Sequence, residues 1–245
     1  MTSPDAALVR RILEHEAYRT VFQPAYSLAT GRVIGVEALT RFTLGSLDSP
    51  AWWFSQAHAA ELGVELELAT LRCALETAGW LPDGISLSVN VSPAALLDAR
   101  TVLALTRRHV GDVTVEITEQ APLHGHPQLR QLRDKLWGMG VRVAVDDVVA
   151  TRASVRHLLR LRPDEAKADL TLTARLEGDW RRRLLARNLV RIAHRQGATV
   201  VAEGIETPAQ LAIWRRLGAD AAQGFLLATP APLEQALESR AISLA

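Results

Sequence analysis

Residues 199–223 read TVVAEGIETPAQLAIWRRLGADAAQ, and this stretch predicts a strand, a helix and a second strand in that order. Thr199–Ala202 is a short apolar run with β-branched residues, whereas Pro208–Leu217 has apolar residues at helical spacing. Ala221–Gln223 is the next strand candidate. A strand followed by a helix and another strand is the repeating unit of a parallel sheet. The stretch therefore predicts neighbouring strands that run in the same direction.

The same alternation of apolar runs and amphipathic stretches recurs along most of the chain. It is typical of α/β proteins with a parallel sheet. Further predicted strands are Ser86–Asn90, Val113–Ile117, Arg142–Asp146 and Glu165–Ala168. Further predicted helices are Glu65–Ala78, Thr101–His109, Gln128–Met139 and Trp180–Arg195. Three sites where a Ser or Thr precedes proline predict an N-cap and the first helical turn, and they are Ser49-Pro50, Ser92-Pro93 and Thr207-Pro208.

The N-terminal part has a different pattern. Val21–Leu28 and Arg32–Arg41 are two extended runs that flank Ala29-Thr30-Gly31, a turn signal. This arrangement predicts a hairpin, so one strand near the N-terminus runs antiparallel to its neighbour. Together with the parallel units and a length of 245 residues, it favours a single modified (β/α)8 barrel of the TIM type, a fold that takes about 250 residues.

Composition and charge narrow the class of protein. Hydrophobic residues make up 48% of the chain and charged residues 22%, which is ordinary for a globular domain. The apolar runs are strand-sized and the N-terminus is interspersed with charges, so neither a signal peptide nor a membrane span is predicted. A net charge of +1 argues against duplex nucleic acid as a partner. Cys73 is the only cysteine, which excludes an internal disulfide framework and favours a reducing cytoplasm.

Polar residues follow the predicted strands at the points where those strands end. In a parallel barrel these ends surround one mouth, where such enzymes have their sites. Carboxylates that converge there repel one another without cations, and an oxygen-only ligand set favours Mg²⁺ or Mn²⁺. Two such ions about 3.5–4 Å apart are typical of phosphoryl hydrolysis. The residues concerned are Glu37, Asn90, Glu116, Asp146, Asp147, Lys167, Glu203 and Gln223.

Lys167 stands out because the chain uses arginine almost throughout. Of the 28 lysines and arginines, only Lys135 and Lys167 are lysines. Alternation along the strand Glu165–Ala168 points Lys167 towards the barrel mouth, where a compact ammonium can hold a water by a hydrogen bond. Lys135 lies in the middle of a predicted helix and is expected to face solvent.

The motifs resemble those of EAL domains, which take their name from a Glu-Ala-Leu tripeptide. Here the tripeptide is Glu37-Ala38-Leu39, followed by Thr40-Arg41, and further motifs accompany it in the family's order and at closely similar spacings. These are Phe22-Gln23-Pro24, Ser88-Val89-Asn90-Val91-Ser92-Pro93, Glu116-Ile117-Thr118-Glu119, Val145-Asp146-Asp147, Lys167, Glu203-Gly204-Ile205-Glu206-Thr207 and Gln223-Gly224-Phe225. The resemblance runs from about Phe22 to about Pro230, which is nearly the whole chain.

The resemblance implies a function and a cofactor. It implies one EAL domain over residues 1–245, with a motif-bearing core of about 20–240, that hydrolyses the bacterial second messenger cyclic di-GMP to linear pGpG. Two divalent cations, Mg²⁺ or Mn²⁺, would be needed. The larger Ca²⁺ would inhibit, because its looser coordination does not suit a two-metal clamp.

The same resemblance assigns roles to individual residues. Ligands of the first cation would be Glu37, Asn90, Glu116 and Asp146, and those of the second Asp146, Asp147 and Glu203. Catalytic residues would be Lys167, which positions the nucleophilic water, Glu203 and Glu37. Contacts to the nucleotide would come from Gln23, Arg41, Gln223 and Glu206, and Glu119 would brace the loop after the paired aspartates.

One stretch departs from the family pattern. Family members usually continue the paired aspartates as Asp-Asp-Phe-Gly-Thr-Gly-Tyr-Ser-Ser, whereas here Val148–Ser154 follows Asp147 and neither glycine is kept. Val149 and Thr151 disfavour backbone conformations that glycine adopts, so the loop is expected to take a different path. In the family this loop shapes the second cation site and a homodimer contact on the same barrel face. Slow turnover and an altered dimer geometry are therefore predicted.

Other interpretations stay open at this stage. Structural roles are available to several residues: helix capping for Asp146, Asp147 and Glu206, a turn for Asn90, an ion pair for Arg41 and a strand end for Gln23. One functional alternative is a receptor that binds cyclic di-GMP without efficient turnover. Another is a barrel enzyme with a single Mg²⁺ that uses Lys167 as a base to abstract a proton beside a carboxylate. A third is a protein-interaction scaffold.

Overall fold

The computed structural model describes residues 4–44, 49–79, 81–106, 112–118, 128–149 and 151–238. Eight strands form one closed barrel in which each strand pairs with the next and the last pairs with the first. The strands are β1 (Tyr18–Ser27), β2 (Val33–Phe42), β3 (Ser86–Asn90), β4 (Val113–Thr118), β5 (Val141–Val148), β6 (Glu165–Ala168), β7 (Thr199–Ala202) and β8 (Ala221–Ala222). β1 is antiparallel to β2 and β8, and all other pairs are parallel. The predicted barrel with one antiparallel strand is confirmed.

Helices surround the barrel and connect its strands. They are α1 (Pro4–Glu14), α2 (Pro50–Ala59), α3 (Gly63–Thr77), α4 (Pro93–Leu96), α5 (Ala99–Thr106), α6 (Gln128–Trp137), α7 (Arg152–Leu161), α8 (Leu170–Thr173), α9 (Trp180–Arg195), α10 (Pro208–Leu217) and α11 (Leu233–Leu237). The bounds of α9 and α10 are those predicted from the sequence. No helix in the described residues combines the length and the apolar character that a membrane crossing requires.

Side-chain caps start the three helices that were predicted to begin at Ser49-Pro50, Ser92-Pro93 and Thr207-Pro208. Ser49 Oγ accepts a hydrogen bond from the Trp52 N–H, and Ser92 Oγ accepts one from the Ala95 N–H. Thr207 and Gln210 form a reciprocal capping box at the start of α10. Each cap satisfies a helix N–H that has no partner within the helix, which fixes where the chain leaves a strand end.

Residues alternate between the barrel interior and the hydrophobic core outside it. On β3, Leu87 lies in the core between barrel and helices, whereas Ser86 and Ser88 line a small cavity inside the barrel. On β6, Ala166 lies in that core and Lys167 faces the interior. This period of two explains how a polar side chain at nearly every strand end is directed to the same place.

A second apolar cluster closes the barrel beside β1 and β2. Ile12 of α1, Trp53 and Ala57 of α2 and Leu66 of α3 are all fully or almost fully buried in it. Phe42, the last residue of β2, packs against this cluster, with its ring centroid 5.7 Å from that of Trp53. The start of α3 is therefore fixed next to the strand that carries Glu37.

Candidate metal and nucleotide site

Lys167 lies at the centre of an acidic cluster and is only 2% exposed. Its Nζ is 2.7 Å from Glu116 Oε2, 2.8 Å from Glu203 Oε1 and 3.0 Å from Glu37 Oε2, with Asp146 Oδ1 at 3.9 Å. Glu37, Glu116 and Asp146 lie on three different strands, and Glu203 follows a fourth. Burial alone would lower the pKa of the ammonium, but Glu116, Glu203 and Glu37 raise it well above its usual value. The inward orientation predicted for Lys167 is confirmed.

Glu37 is held by three side chains in the middle of β2. Its Oε2 accepts from Lys167 Nζ and, at 2.8 Å, from Gln223 Nε2, and its Oε1 accepts from Asn90 Nδ2 at 2.9 Å. Burial opposes ionisation of the carboxyl, but the charge of Lys167 and these hydrogen bonds lower its pKa. Because the amide nitrogen of Asn90 donates to Glu37, its amide oxygen is left to face a ligand.

Gln223 and Gln23 form an amide chain beside Glu37. Gln223 Nε2 donates to Gln23 Oε1 at 3.0 Å, and Gln23 Nε2 donates to the carbonyl of Ala228, also at 3.0 Å. The hairpin register sets Gln23 directly opposite Glu37. A Cβ on Gly224 would come within 2.2 Å of the Ile205 backbone nitrogen, so only glycine lets the chain after Gln223 approach the segment after β7 this closely.

Glu116 carries an oxygen atom without a hydrogen bond. Its Oε2 binds Lys167, whereas Oε1 is buried and has no hydrogen-bond partner among the described residues. Burial, followed by the charge of Glu37, raises the pKa of this carboxyl well above its usual value. A buried carboxylate oxygen that lacks a donor is costly, and a hard cation would satisfy it. The residues present therefore fit a divalent cation.

A second group of carboxylates lies at the end of β5 and after β7. Oxygen atoms of Asp146, Asp147 and Glu203 are all within 4.8 Å of one another, a spacing that one cation could bridge. Burial and the neighbouring acids raise the pKa of Asp147 to about 6 and that of Glu203 to about 8. At neutral pH Glu203 therefore holds a proton that a cation would displace, whereas Asp147 is mostly ionised.

The backbone at the paired aspartates is unusual and explains how both face the site. Asp147 has φ of +58°, in the left-handed region that Asp adopts more readily than most residues. The register of the β5–β6 pairing shifts between Val145 and Val148. A bulge of this kind redirects side chains that would otherwise alternate to opposite faces.

Asp169 belongs to this group and was not anticipated from the sequence. It is buried, hydrogen-bonds to the carboxyl of Asp147 and accepts from the Thr171 N–H as the N-cap of α8. Its position could have been recognised, because Asp169 lies two residues past Lys167 and strand alternation directs both to the same side. Its capping role and its contact with Asp147 together link α8 to the cluster.

A cavity of about 340 Å³ opens above these residues. Glu37, Asp146 and Glu203 form part of its wall, as do Gln23, Gln223 and Glu206. Its apolar wall includes Leu170 and Phe225, which are 57% and 64% exposed. The cavity therefore joins an acidic floor to an exposed apolar rim.

Two predicted nucleotide contacts lie at or beyond the edge of this cavity. Glu206 is exposed at the rim, and its backbone N–H donates to Gln210 Oε1 at the start of α10. Arg41 lies on the same face of β2 as Glu37 but is not part of the cavity wall, and its Nη1 donates to the Thr40 carbonyl at 2.9 Å. Glu119 lies outside the described residues.

The loop after Asp147, which lacks the family's glycines, begins at the buried end of β5. Val148 is fully buried as the last residue of β5, and its carbonyl accepts from the Asp169 N–H at 3.2 Å. Val149 is 37% exposed and α7 begins at Arg152. The connection from Asp147 to α7 is therefore short, and its first residue is anchored to the segment that carries Asp169.

The sequence as a whole matches a family model described as EAL domain over residues 6–230. The chain belongs to the EAL domain family. EAL domains form a family of phosphodiesterases related to cyclic di-GMP and use divalent metals. The expectation drawn from the motifs is thus confirmed at the level of the family, and the closed mixed barrel agrees with the EAL fold.

Several relatives show how far the similarity extends. The bifunctional diguanylate cyclase/cyclic di-GMP phosphodiesterase MucR of Pseudomonas aeruginosa is 29% identical over 94% of this chain, which corresponds to 36% of MucR. The Mycobacterium tuberculosis protein Rv1357c is 30% identical over 92% of this chain and 79% of its own length. The chain spans about a third of the length of the first curated relatives it matches.

Solved EAL structures superpose on the barrel. The MucR phosphodiesterase in complex with cyclic di-GMP has a TM-score of 0.84 at 28% identity and covers 95% of this chain and 99% of that one. Klebsiella pneumoniae BlrP1, in a complex with calcium and cyclic di-GMP, has a TM-score of 0.77 at 29% identity over 88% of this chain and 56% of BlrP1.

Proposed function

We propose that this EAL domain hydrolyses cyclic di-GMP to linear pGpG with the help of two divalent cations, Mg²⁺ or Mn²⁺. The observation that carries the proposal is the acidic cluster around Lys167, in which Glu116 Oε1 is buried and receives no hydrogen bond from the described residues. Such a cluster is costly to fold unless a cation compensates it. Its place below a cavity with an apolar rim suits a ligand that has phosphates and flat bases.

The two cations would share Asp146 and otherwise have different ligands. Glu37, Asn90, Glu116 and Asp146 would hold the first, and Asp146, Asp147 and Glu203 the second. When bound, the cations polarise the scissile phosphate and offset the charge that develops on its oxygens. Gln23, Gln223 and Glu206 line the cavity and would orient the nucleotide above them. Arg41 would reach it only if its side chain turned away from the Thr40 carbonyl.

Lys167 would serve as a donor and not as a base. Three carboxylates within 3.0 Å keep the ammonium protonated, and its pKa is raised accordingly. A protonated Nζ can position the attacking water by a hydrogen bond and stabilise negative charge at the phosphate. The same feature disfavours the alternative barrel enzyme, since that enzyme needs a neutral lysine to remove a proton.

The receptor alternative is favoured by one observation, the loss of both glycines from the loop after Asp147. In that case cyclic di-GMP would bind but would be turned over slowly. We further propose that the domain acts in the cytoplasm and that a homodimer forms through the barrel face near this loop. Sedimentation of the purified protein would detect such a dimer.

Incubation of the purified protein with cyclic di-GMP tests the proposal. We expect linear pGpG by chromatography with Mg²⁺ or Mn²⁺ and no product with Ca²⁺ or excess chelator. Binding of cyclic di-GMP in Ca²⁺ is measured separately by calorimetry. Binding without product under every cation would favour the receptor, and product in excess chelator would disprove the two-cation mechanism.

A further inference from the structure

The turn after β3 is tied to helix α3 by one largely buried carboxylate. Glu67 Oε2 accepts a hydrogen bond from the backbone N–H of Ser92 at 2.7 Å. Ser92 is the N-cap of α4 and lies two residues past Asn90. The side chain of Glu67 is 10% exposed, so little water competes for this bond. A charge-assisted bond in such surroundings is strong.

The second oxygen of Glu67 is supported from α2. Oε1 is buried and makes no hydrogen bond with the described residues, but it lies 3.0 Å from Nε2 of His58, close enough for an ion pair when the imidazole is protonated. The ring of His58 occupies space that a side chain at residue 63 would fill. A Cβ on Gly63 would come within 2.2 Å of His58 Nδ1. The end of α2, the first turns of α3 and the turn after β3 are therefore joined at one carboxylate.

Asn90 depends on this turn for its position. It is exposed at the end of β3, and its Nδ2 donates to Glu37 Oε1 at 2.9 Å. The Val91 N–H still donates to the Glu116 carbonyl, at 3.1 Å. The next backbone N–H along the chain is that of Ser92, which is held by Glu67. Without that bond, the chain after Asn90 would lose the anchor that fixes its exit from the strand.

We propose that Glu67 is a positioning residue that holds Asn90 in place as a cation ligand, with His58 as its support. The inference rests on the proposed function, because it assigns Asn90 to the first cation. Groups that orient metal ligands from behind typically change metal affinity or activity by about 10–100-fold when they are removed. Among the described residues that line the cavity Glu67 is absent, and its hydrogen bond to the Ser92 backbone links it to the strand end that carries Asn90.

Two substitutions of similar size separate the hydrogen bond from the bulk of the side chain. Glu67→Gln keeps an oxygen that can accept from Ser92, whereas Glu67→Met fills the same space without an acceptor. We expect Glu67→Met to weaken Mn²⁺ binding about tenfold and Glu67→Gln to stay within about twofold of the parent. Calorimetric titration of metal-free protein measures this without turnover. Turnover assays should show a similar rise in the Mn²⁺ concentration for half-maximal rate, with little change in KM for cyclic di-GMP.

Glu65 on the same helix provides the matched control. Its side chain is 45% exposed and pairs with Arg100, away from the turn after β3. Glu65→Gln and Glu65→Met should leave Mn²⁺ affinity unchanged. Circular dichroism checks the fold of every variant, and if Glu67→Met does not fold, Glu67→Asp replaces it, because a shorter carboxylate cannot reach Ser92 as closely.

The outcomes distinguish this inference from the proposed function. A protein that binds Mn²⁺ but never forms pGpG contradicts the proposed hydrolysis, while the Mn²⁺ titrations still test Glu67. If Glu67→Met binds Mn²⁺ as tightly as the parent does, the positioning role is overturned. The same holds for Glu67→Asp if that variant has to replace Glu67→Met. Equal losses in Glu67→Gln and Glu67→Met would overturn it as well, since the bond to Ser92 would then not be what matters.

Discussion

Replacing Lys167 by arginine separates the need for positive charge from the need for a compact donor. The ammonium is 2% exposed and lies within 3.0 Å of three carboxylates. Arginine keeps the charge but adds a planar group that is larger than the ammonium. Forcing extra atoms into a close-packed site costs typically about 1–3 kcal/mol and displaces its neighbours.

The expected loss of turnover follows from that displacement. A shift of about 1 Å in a catalytic group can lower a rate on the order of 100-fold. Guanidinium atoms in place of the ammonium would move Glu116 and Glu203, which now lie 2.7 and 2.8 Å from Nζ, by at least a comparable distance. Because Lys167 is not part of the cavity wall, nucleotide affinity should change little.

The assay measures kcat with Mn²⁺ and the Kd for cyclic di-GMP in Ca²⁺. We expect Lys167→Arg to lower kcat about 100-fold with the Kd within about threefold of the parent, a difference under 1 kcal/mol. Lys135→Arg is the control, because Lys135 is exposed on α6 and is the only other lysine of the chain. Parent-like kcat in Lys167→Arg would show that the position needs only positive charge, and an equal loss in Lys135→Arg would point to a general effect on folding.

Three further changes test other parts of the site. Glu37→Ala should abolish hydrolysis while circular dichroism stays normal, because the barrel core lies outside the ring of site residues, and retained hydrolysis would show that Glu37 is not a ligand. In metal-free protein the pKa of Glu203 is raised to about 8 from 4.5, so the folded state keeps a proton that the unfolded state loses. The free energy of unfolding should therefore fall as the pH rises from about 4.5 to 8. Thermal melts at pH 6 and pH 8 measure the fall in stability, and added Mn²⁺ should raise the melting temperature more at pH 8. Melting temperatures that do not change with pH would contradict the prediction. Replacing Val148–Thr151 by Phe-Gly-Thr-Gly should raise kcat at nearly constant affinity, and a lower kcat would show that the native loop already supports turnover.

The fold could be predicted closely because its signals are local. The strands Ser86–Asn90, Glu165–Ala168 and Thr199–Ala202 have the predicted bounds, since each is a short run between clear helix starts and stops. The hairpin followed from one turn signal between two extended runs. Helix α7 was not predicted, although its sequence RASVRHLLRL has arginines and apolar residues at the spacing of an amphipathic helix, a signal that could have identified it.

The clustering of the acidic residues around Lys167 could be predicted, but the contacts that connect the cluster to its surroundings could not. Strand ends around one mouth brought Glu37, Glu116 and Lys167 into contact as expected. Asp169 was missed because it reads as a helix cap, which it also is. The link from Glu67 to Ser92 joins residues 25 positions apart through packing of α3 against the turn after β3. No spacing rule within the sequence specifies such a contact.

The arrangement of hydrogen bonds differs between the two proposed cation sites. Around Glu37 the donors Lys167, Asn90 and Gln223 are already in place, and the free Glu116 Oε1 lies within the same cluster. A cation there would add to existing bonds and replace few of them. Preorganisation of this kind reduces the cost of binding.

The proposed second cation site is less constrained on its loop side. Asp147 relies on a left-handed backbone and a partner in Asp169, and the chain that follows it lacks the family's glycines. The first site should therefore bind its cation with little rearrangement, whereas the second should bind more weakly. Two-step Mn²⁺ titrations would resolve this difference. An Asp147→Asn variant would assign one of the two Mn²⁺ affinities to the second site. If that affinity is the tighter of the two, the expected order is wrong, and a slow rate would have to be explained by something other than the loop.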